Sequence, residues 1–200
     1  MARHLDCRDP QDRDAAIAGA VRAARNGRLV ALPAESGYVL ATDAFTAAGV
    51  AALQRAKGLD QRTSLGVLVG HRSGVHGIAT GLSPAALELM AAFWPGQLSL
   101  IVQTQRSLHW TVPTDRCAVR MPLHPVLLAV VAGVGPMVYS GLSDPAERDR
   151  AAVVLDCGER PAGAAATLID ATHQPLRILR EGAIEADRLR SIVPSLLGPN

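Results

Sequence analysis

Short apolar segments alternate with helical segments through the first two thirds of the chain. "RLVALP" is typical of a buried strand and follows a helical segment, residues 12–25, that ends at Asn26-Gly27. Ser83-Pro84 favours the start of another helix, which we expect to reach Phe93. After "GPMVYSG" the predicted strands follow one another. This order predicts an α/β fold, in which one mixed sheet of parallel and antiparallel strands is flanked by helices.

The other elements predicted from hydrophobic periodicity complete this order. Helices are expected over residues 46–56, with Thr46 as N-cap, over "HPVLLAVVAG" and over residues 184–192. Strands are expected at "SLGVLVG", "QLSLIVQT", "CAVRMP", "GPMVYSG", "AVVLDCG", "AATLIDAT" and "PLRILREG". A length of 200 residues is that of one domain with its own core, so we expect a single domain over residues 1–200.

The composition argues against several classes of protein. No apolar stretch approaches the ~20 residues that a membrane helix needs, and "MARHLDCRDPQDRDAA" lacks the apolar region of a signal peptide. The net charge is only +2 and aromatic residues are 3% of the chain, so platforms that stack single-stranded bases are not expected. Cys7, Cys117 and Cys157 are widely spaced and odd in number, which predicts no disulfide. We expect Cys117 and Cys157 to be small buried core residues, and the protein to be cytoplasmic.

Lysine occurs once among the 20 basic side chains, at position 57 in "QRAKGLDQR". An ammonium is a compact charge that can move between the oxygens of two anions, whereas a guanidinium favours one bidentate pose. In open α/β sheets, ligands bind beyond the carboxyl ends of the strands. Cationic or hydroxyl side chains lie next to small-residue turns near such ends at five places: "PAESGY", residues 57–62, Arg120, "YSG" and Arg180. We therefore expect these segments to form one binding crevice.

Six segments resemble, in order, the motifs of the YrdC/Sua5/TsaC-like family. "GRLVALPAESGYVL" is similar to the family's strand and PTDTVYGL turn, and "RAKGLDQRTSLGVLV" to its KxR segment. "FWPGQLSLIV" resembles FWPGPLTLVL, "CAVRMPLHP" resembles VAVRxPxHP, "PMVYSGLSDP" resembles PLVATSANxSG, and "LREGAI" resembles LRxGAI. The likeness runs from about Arg25 to Ile184, and the chain is identified as a divergent member of this family.

The resemblance implies a twisted mixed sheet with a positively charged cavity, and the activity of a threonylcarbamoyl-adenylate synthase. In that nucleotidyltransferase reaction, L-threonine takes up bicarbonate, and the carbamate attacks the α-phosphate of ATP and releases pyrophosphate. The product serves tRNA modification, and Mg²⁺ enters with ATP, so no resident metal site is implied. Two residues correspond to catalytic positions, Lys57 and Ser140. Six correspond to substrate- or nucleotide-binding positions: Ser36, Tyr38, Arg62, Arg120, Thr167 and Arg180.

Several positions depart from the family pattern. Leu59 stands where KxR has its arginine, and Leu142 stands where SxN has its asparagine. Arg62, three residues after Leu59, is the alternative cation. Loss of one positioned donor typically costs ~10²–10³ in rate. Hydroxyl or carboxyl positions of the PTDT turn and of the later ST pair are also changed, at Ala34, Glu35, Ser36 and Ala166.

These departures leave three functions open. The first is a synthase with a modified site that uses ATP, L-threonine and bicarbonate. The second is a catalytically degenerate paralogue that binds nucleotide or double-stranded RNA through a basic concavity. The third is an enzyme of the same fold that acts on another carboxylate or carbamoyl substrate, because Ala34 and Leu142 make the pocket more apolar. Each candidate residue also has a purely structural interpretation. Lys57 would be a solvated helix-end cation, and Arg120 a surface ion-pair partner. Arg180 would be a strand end, Ser140 a turn residue and Tyr38 a packing residue.

Overall fold

One sheet of eleven strands and five α-helices make up the described part of the chain, which is residues 2–60, 63, 65–105, 115–142, 144–159 and 163–199 of the computed structural model. The helices are α1 (Pro10–Arg25), α2 (Ala47–Lys57), α3 (Pro84–Phe93), α4 (Pro125–Val134) and α5 (Ala186–Arg190). The strands are β1 (Arg3–Asp6), β2 (Val30–Pro33), β3 (Tyr38–Asp43), β4 (Gly66–Leu68), β5 (Ala79–Thr80), β6 (Leu98–Thr104), β7 (Arg116–Arg120), β8 (Met137–Gly141), β9 (Val153–Asp156), β10 (Thr167–Asp170) and β11 (Arg177–Arg180). Two short 3₁₀ helices span Arg72–Gly77 and Pro145–Arg150. None of the helices in these ranges has the length and apolar character that crossing a membrane requires.

The sheet is mixed, as predicted. Its strand order is β1-β9-β2-β3-β8-β4-β7-β6-β10-β11, and β5 pairs with β6 beside this path. The pairs β1–β9, β2–β9, β4–β7 and β6–β10 are parallel, whereas β2–β3, β3–β8, β4–β8, β6–β7, β5–β6 and β10–β11 are antiparallel. Together with the flanking helices, this sheet confirms the α/β class and the single mixed sheet.

Helix ends follow the local signals in the sequence. The Ser83 hydroxyl accepts a hydrogen bond from Ala86 N, which confirms the predicted start of α3. Thr46 has the extended backbone of an N-cap at α2, but its side chain makes no capping hydrogen bond. Gly58 ends α2 with a φ of 62°, a left-handed conformation that glycine adopts without steric cost. The end of α2 therefore places Lys57 in the last helical turn.

The core lies on both faces of the sheet. Because successive residues of a strand point to opposite faces, Val30 and Leu32 pack in one cluster while Ala31 packs in the other. Helices α1 and α4 cover the first cluster, and α2 and α3 cover the second. Both faces of the central strands are buried, which explains their short, continuously apolar sequences.

The prediction that the cysteines form no disulfide is wrong. Cys7 and Cys157 are bonded, with their Cα atoms 5.2 Å apart. Strand β1 was not predicted. It pairs in parallel with β9 so that Asp6 lies opposite Asp156. This register brings together Cys7 and Cys157, the residues that directly follow the two strands. Cys157 is thus a half-buried bridged residue, whereas Cys117 is buried and unbonded as expected. The cysteines therefore give no support for a reducing compartment.

Candidate functional site

Five of the predicted site residues line one cavity of about 580 Å³. Much of the remaining wall consists of glycine and alanine, which leave room close to the backbone. The volume lies within the ~300–1,000 Å³ typical of sites for small molecules and cofactors. The structure thus brings together, as the crevice hypothesis requires, Ser36, Tyr38, Arg120, Ser140 and Arg180.

Strand ends position these side chains. Tyr38 is the first residue of β3, and Ser140 lies near the end of the neighbouring β8, opposite Leu40. Arg120 is the last residue of β7, and Arg180 is the last residue of β11. The cavity therefore opens where strands from several parts of the sheet end, as expected for an α/β sheet.

Arg120 is paired with Glu35, the residue that departs from the aspartate of the turn motif. Its Nη2 donates to Glu35 Oε2, while Glu35 Oε1 accepts from the backbone N–H groups of Leu123 and His124. The two paired side chains are only 9% and 12% exposed. Burial alone would raise the pKa of Glu35, but the charge of Arg120 and the N–H of Leu123 outweigh burial and lower that pKa. Glu35 is therefore ionised at neutral pH and offsets the charge of Arg120.

Arg120 is not the surface ion-pair partner considered above, because its ion pair with Glu35 is mostly buried. Arg120 also keeps unused hydrogen-bonding capacity. Its Nε is buried and has no hydrogen-bond partner within the described ranges. Arg120 lines the cavity and retains this donor.

Lys57 lies at the edge of the same cavity. Its Nζ donates to Gly141 O at 2.9 Å, and Gly141 lines the cavity. The same ammonium donates to Glu147 Oε2 at 2.7 Å. The Lys57 side chain is 9% exposed, so the interpretation as a solvated helix-end cation is wrong. Lys57 is itself absent from the lining, and its charge is offset by Glu147.

Thr167 lies outside the cavity lining. Its hydroxyl donates to Ile184 O at 2.8 Å and accepts from the N–H groups of Gly182 and Ile184, each at 3.0 Å. These bonds tie β10 to the turn that follows Arg180. Arg180 is exposed and donates from Nη2 to Ala166 O at 2.9 Å. Arg62 falls outside the described residues.

The two leucines that depart from the family motifs are used for packing. Leu59 is partly buried against the core cluster next to α2. Leu142 packs against the same cluster and also lines the cavity, while its N–H donates to Tyr38 O at 3.0 Å. Of the two leucines, only Leu142 therefore makes the cavity lining more apolar.

The 3₁₀ helix Pro145–Arg150 supplies two residues that the sequence motifs did not identify. Glu147 is the partner of Lys57, and the Arg148 guanidinium lies 3.8 Å from the centroid of the Tyr38 ring. The Tyr38 hydroxyl donates to Gly158 O at 3.0 Å and accepts from Cys157 N at 3.1 Å. The run of charges in "PAERDR", which begins at Pro145 shortly after β8 ends at Gly141, was the available sequence signal.

Acidic, histidine and cysteine side chains do not gather into a group of three that could hold a metal ion in the ranges that the structure describes. The polar groups of the cavity wall are instead guanidinium, hydroxyl and backbone groups. Such groups bind phosphate and carboxylate oxygens.

The family model for Sua5, YciO and YrdC proteins, described as "Telomere recombination", matches residues 22–182. A Mycobacterium tuberculosis protein, provisionally named a threonylcarbamoyl-AMP synthase, is 36% identical, and the match covers 96% of each chain. A Mycobacterium leprae protein with the same provisional name is 38% identical over 96% of this chain and 94% of its own. The Bacillus subtilis threonylcarbamoyl-AMP synthase is 27% identical over 94% of this chain, which spans 58% of that protein.

Two solved structures share the fold. Pyrococcus abyssi Sua5 complexed with L-threonine superposes with a TM-score of 0.85 at 23% identity, over 99% of this chain and 62% of that one. Escherichia coli YciO superposes with a TM-score of 0.77 at 21% identity, over 94% and 98% of the two chains. These matches confirm the family and the fold predicted from the sequence motifs.

Proposed function

Because this chain belongs to the Sua5/YciO/YrdC family, we propose that it is a threonylcarbamoyl-AMP synthase that uses ATP, L-threonine and bicarbonate. One observation carries the proposal. Arg120, Ser140 and Arg180, which are far apart in the sequence, line a single cavity, and the only lysine of the chain bonds to its edge at Gly141. All three substrates carry carboxylate, carbonate or phosphate oxygens, so a site with guanidinium and ammonium groups suits each of them.

The proposed reaction has two bond-forming steps. The amine of threonine adds to the carbon of bicarbonate, and loss of water gives a carbamate. An oxygen of the carbamate then forms a bond to the α-phosphorus of ATP, and the bond from that phosphorus to the pyrophosphate oxygen breaks. Mg²⁺ enters on the triphosphate, whose oxygens and water supply its ligands. Negative charge grows on the phosphoryl oxygens, so fixed cations accelerate the reaction.

The residues of the cavity take distinct roles in this proposal. Arg120 and Arg180 bind the anionic groups of the substrates, and the Ser140 hydroxyl donates to one of them. Lys57 Nζ exchanges the Glu147 carboxylate for a substrate oxygen, which a flexible ammonium can do. Ser36 and Tyr38 form another part of the wall. The positive charge of the cavity remains part of the proposal.

Two predicted binding residues stand apart from this group. We assign Thr167 a positioning role, because its hydroxyl holds the turn after Arg180 and does not reach the cavity lining. A role for Arg62 stays a prediction. The product would be consumed in tRNA modification, which makes tRNA processing the expected context and the cytoplasm the expected location.

Two cations of the site are neutralised by glutamates of the protein itself, and this favours a second candidate function, that of a binding protein without turnover. Lys57 and Arg120 are each paired with a glutamate, and leucines replace two polar residues of the motifs. A paralogue that binds nucleotide or double-stranded RNA without turnover would tolerate these features. Its binding of RNA would weaken steeply as salt is raised, because counterions are released on phosphate contact.

Pyrophosphate release separates the two functions. The synthase should release pyrophosphate from ATP only when L-threonine and bicarbonate are both present. Lys57→Gln should lower the rate by ~10²–10³, whereas Arg55→Gln, an exposed cation two residues earlier on α2, should retain it.

Folding has to be separated from chemistry in this experiment. Lys57→Gln leaves Glu147 without its ammonium, so the double variant Lys57→Gln/Glu147→Gln restores the charge balance and should be folded but inactive. Pyrophosphate release that does not require threonine, or full activity of Lys57→Gln, would contradict the proposal. ATP or RNA binding without any turnover would favour the degenerate paralogue.

A further inference from the structure

Arg148 is a cation beside the cavity that the sequence motifs do not single out. Its guanidinium lies 3.8 Å from the centroid of the Tyr38 ring, and that ring forms part of the cavity wall. The side chain is half-buried, and its Nε is buried without a hydrogen-bond partner among residues that the structure describes. The ion pairs found in those residues do not include Arg148. Its charge is therefore not offset by a carboxylate there.

Arg148 is not among the residues that line the cavity, and it meets the cavity wall through the Tyr38 ring. The 3₁₀ helix that carries Arg148 begins with the Asp144 side chain accepting from Ala146 N at 2.9 Å. Glu147 anchors the same helix to Lys57 at 2.7 Å. Tyr38 is fixed through its hydroxyl, which donates to Gly158 O and accepts from Cys157 N. The guanidinium is thus stacked on a fixed ring, and this preorganisation lowers the entropic cost of binding a ligand.

The charges around the cavity fall into two groups. Lys57 and Arg120 each face a glutamate, and all four side chains are 9–13% exposed. Arg148 and Arg180, by contrast, have no carboxylate partner in the described ranges. An anion that enters the cavity therefore meets uncompensated positive charge from Arg180 in the lining and from Arg148 over the Tyr38 ring.

From this arrangement we infer that Arg148 is a further substrate-binding residue, which binds an oxyanion of the substrates. The oxyanion is either a phosphate of the nucleotide or the carboxylate of the amino acid, and a guanidinium pairs with both. The inference rests on the proposed function and adds to it a residue for the same cavity. Arg148 approaches over the Tyr38 ring, so the ligand group that it binds lies at that wall.

Calorimetric titration of the full chain with ATP–Mg²⁺ and, separately, with L-threonine tests the inference. Arg148→Met removes the charge but retains a side chain that packs on an aromatic ring. It should weaken binding of one of the two ligands by about 10-fold or more. Arg148→Lys keeps the charge and should recover part of the affinity. The matched control is Arg188→Met, because Arg188 lies 5.5 Å from the centroid of the Phe93 ring, and Phe93, unlike Tyr38, does not line the cavity.

The outcomes distinguish the ligand and the role. A loss confined to ATP assigns Arg148 to a phosphate, and a loss confined to threonine assigns it to the carboxylate. If Arg148→Met binds both ligands with unchanged affinity, the inference is overturned. If the melting temperature of that variant is also lowered, Arg148 is a stacking residue only. If ATP binding depends on Arg148 but threonine never stimulates pyrophosphate release, the proposed function fails while this role of Arg148 stands. Wild-type protein that binds neither ligand refutes both.

Discussion

Reduction of the disulfide between Cys7 and Cys157 should lower the free energy of unfolding substantially. The two cysteines are 150 positions apart, and a cross-link of that span removes about 17 cal/mol/K of entropy from the unfolded chain. At room temperature this corresponds to about 5 kcal/mol. Single domains are typically stable by only about 5–15 kcal/mol. The bridge therefore supplies a large share of the stability, and the reduced protein should be marginally stable.

Urea unfolding with and without dithiothreitol measures this contribution. Reduction should shift the wild-type midpoint to lower urea and lower the melting temperature by about 10–20 °C. The variant Cys7→Ala/Cys157→Ala should resemble the reduced wild type and be insensitive to the reductant. Cys117→Ala is the matched control. Cys117 is buried and unbonded, so this variant should keep the full sensitivity to reductant.

Two results would refute this account of the bridge. Coincident unfolding curves with and without reductant would show that the covalent link does not constrain the unfolded chain. A reductant-dependent shift that persists in Cys7→Ala/Cys157→Ala would place the effect outside these two residues. In either case, the parallel pairing of β1 with β9 would have to hold the N-terminal strand without covalent help.

Two further predictions concern the cavity wall and the turn beside it. Folding lowers the pKa of Glu35, so its ionised form stabilises the protein fully above its ordinary pKa of 4.5, and this contribution is lost as the pH falls through the lowered value. Acid unfolding of Glu35→Gln should therefore depend less steeply on pH than that of wild type, and equal slopes would contradict the role of the Arg120 pair. Gly182→Ala should lower the unfolding free energy by about 1–3 kcal/mol, because a Cβ there would clash with Ala165 O and lie against the backbone of Ala166 and Thr167. In the same urea experiment Gly77→Ala, which meets no atom within 4 Å, should be nearly neutral, and equal midpoints of the two variants would contradict the crowding at Gly182.

Local sequence signals were sufficient to predict most helices and strands. Ser83-Pro84 marks the start of α3, and the cationic residues at strand ends, Arg120 and Arg180, do meet at one cavity. Strand β3 was missed because "PAESGY" was interpreted only as a ligand-binding turn. Ala34 N donates to Gly37 O across it, and Gly37 has a φ of 68°, so the segment is also the hairpin turn that pairs β2 with β3.

Contacts between distant residues could not be predicted from one sequence. Glu35 and Arg120 are 85 positions apart, and Lys57 and Glu147 are 90 positions apart. No periodicity relates such residues, because only the strand order of the sheet brings them together. The same holds for Arg148, whose position over Tyr38 depends on where the chain turns after β8. The residues of the cavity were therefore predictable from motifs, but the carboxylates that offset their charge were not.

The mass of the product formed from ATP, L-threonine and ¹³C-labelled bicarbonate tests the central claim most directly. The account predicts an adenylate that contains both the threonine and one labelled carbon, released together with pyrophosphate. An adenylate that contains threonine but no label would instead show activation of the amino-acid carboxylate. That product, or unmodified AMP alone, would contradict the assignment of the cavity to carbamate adenylation.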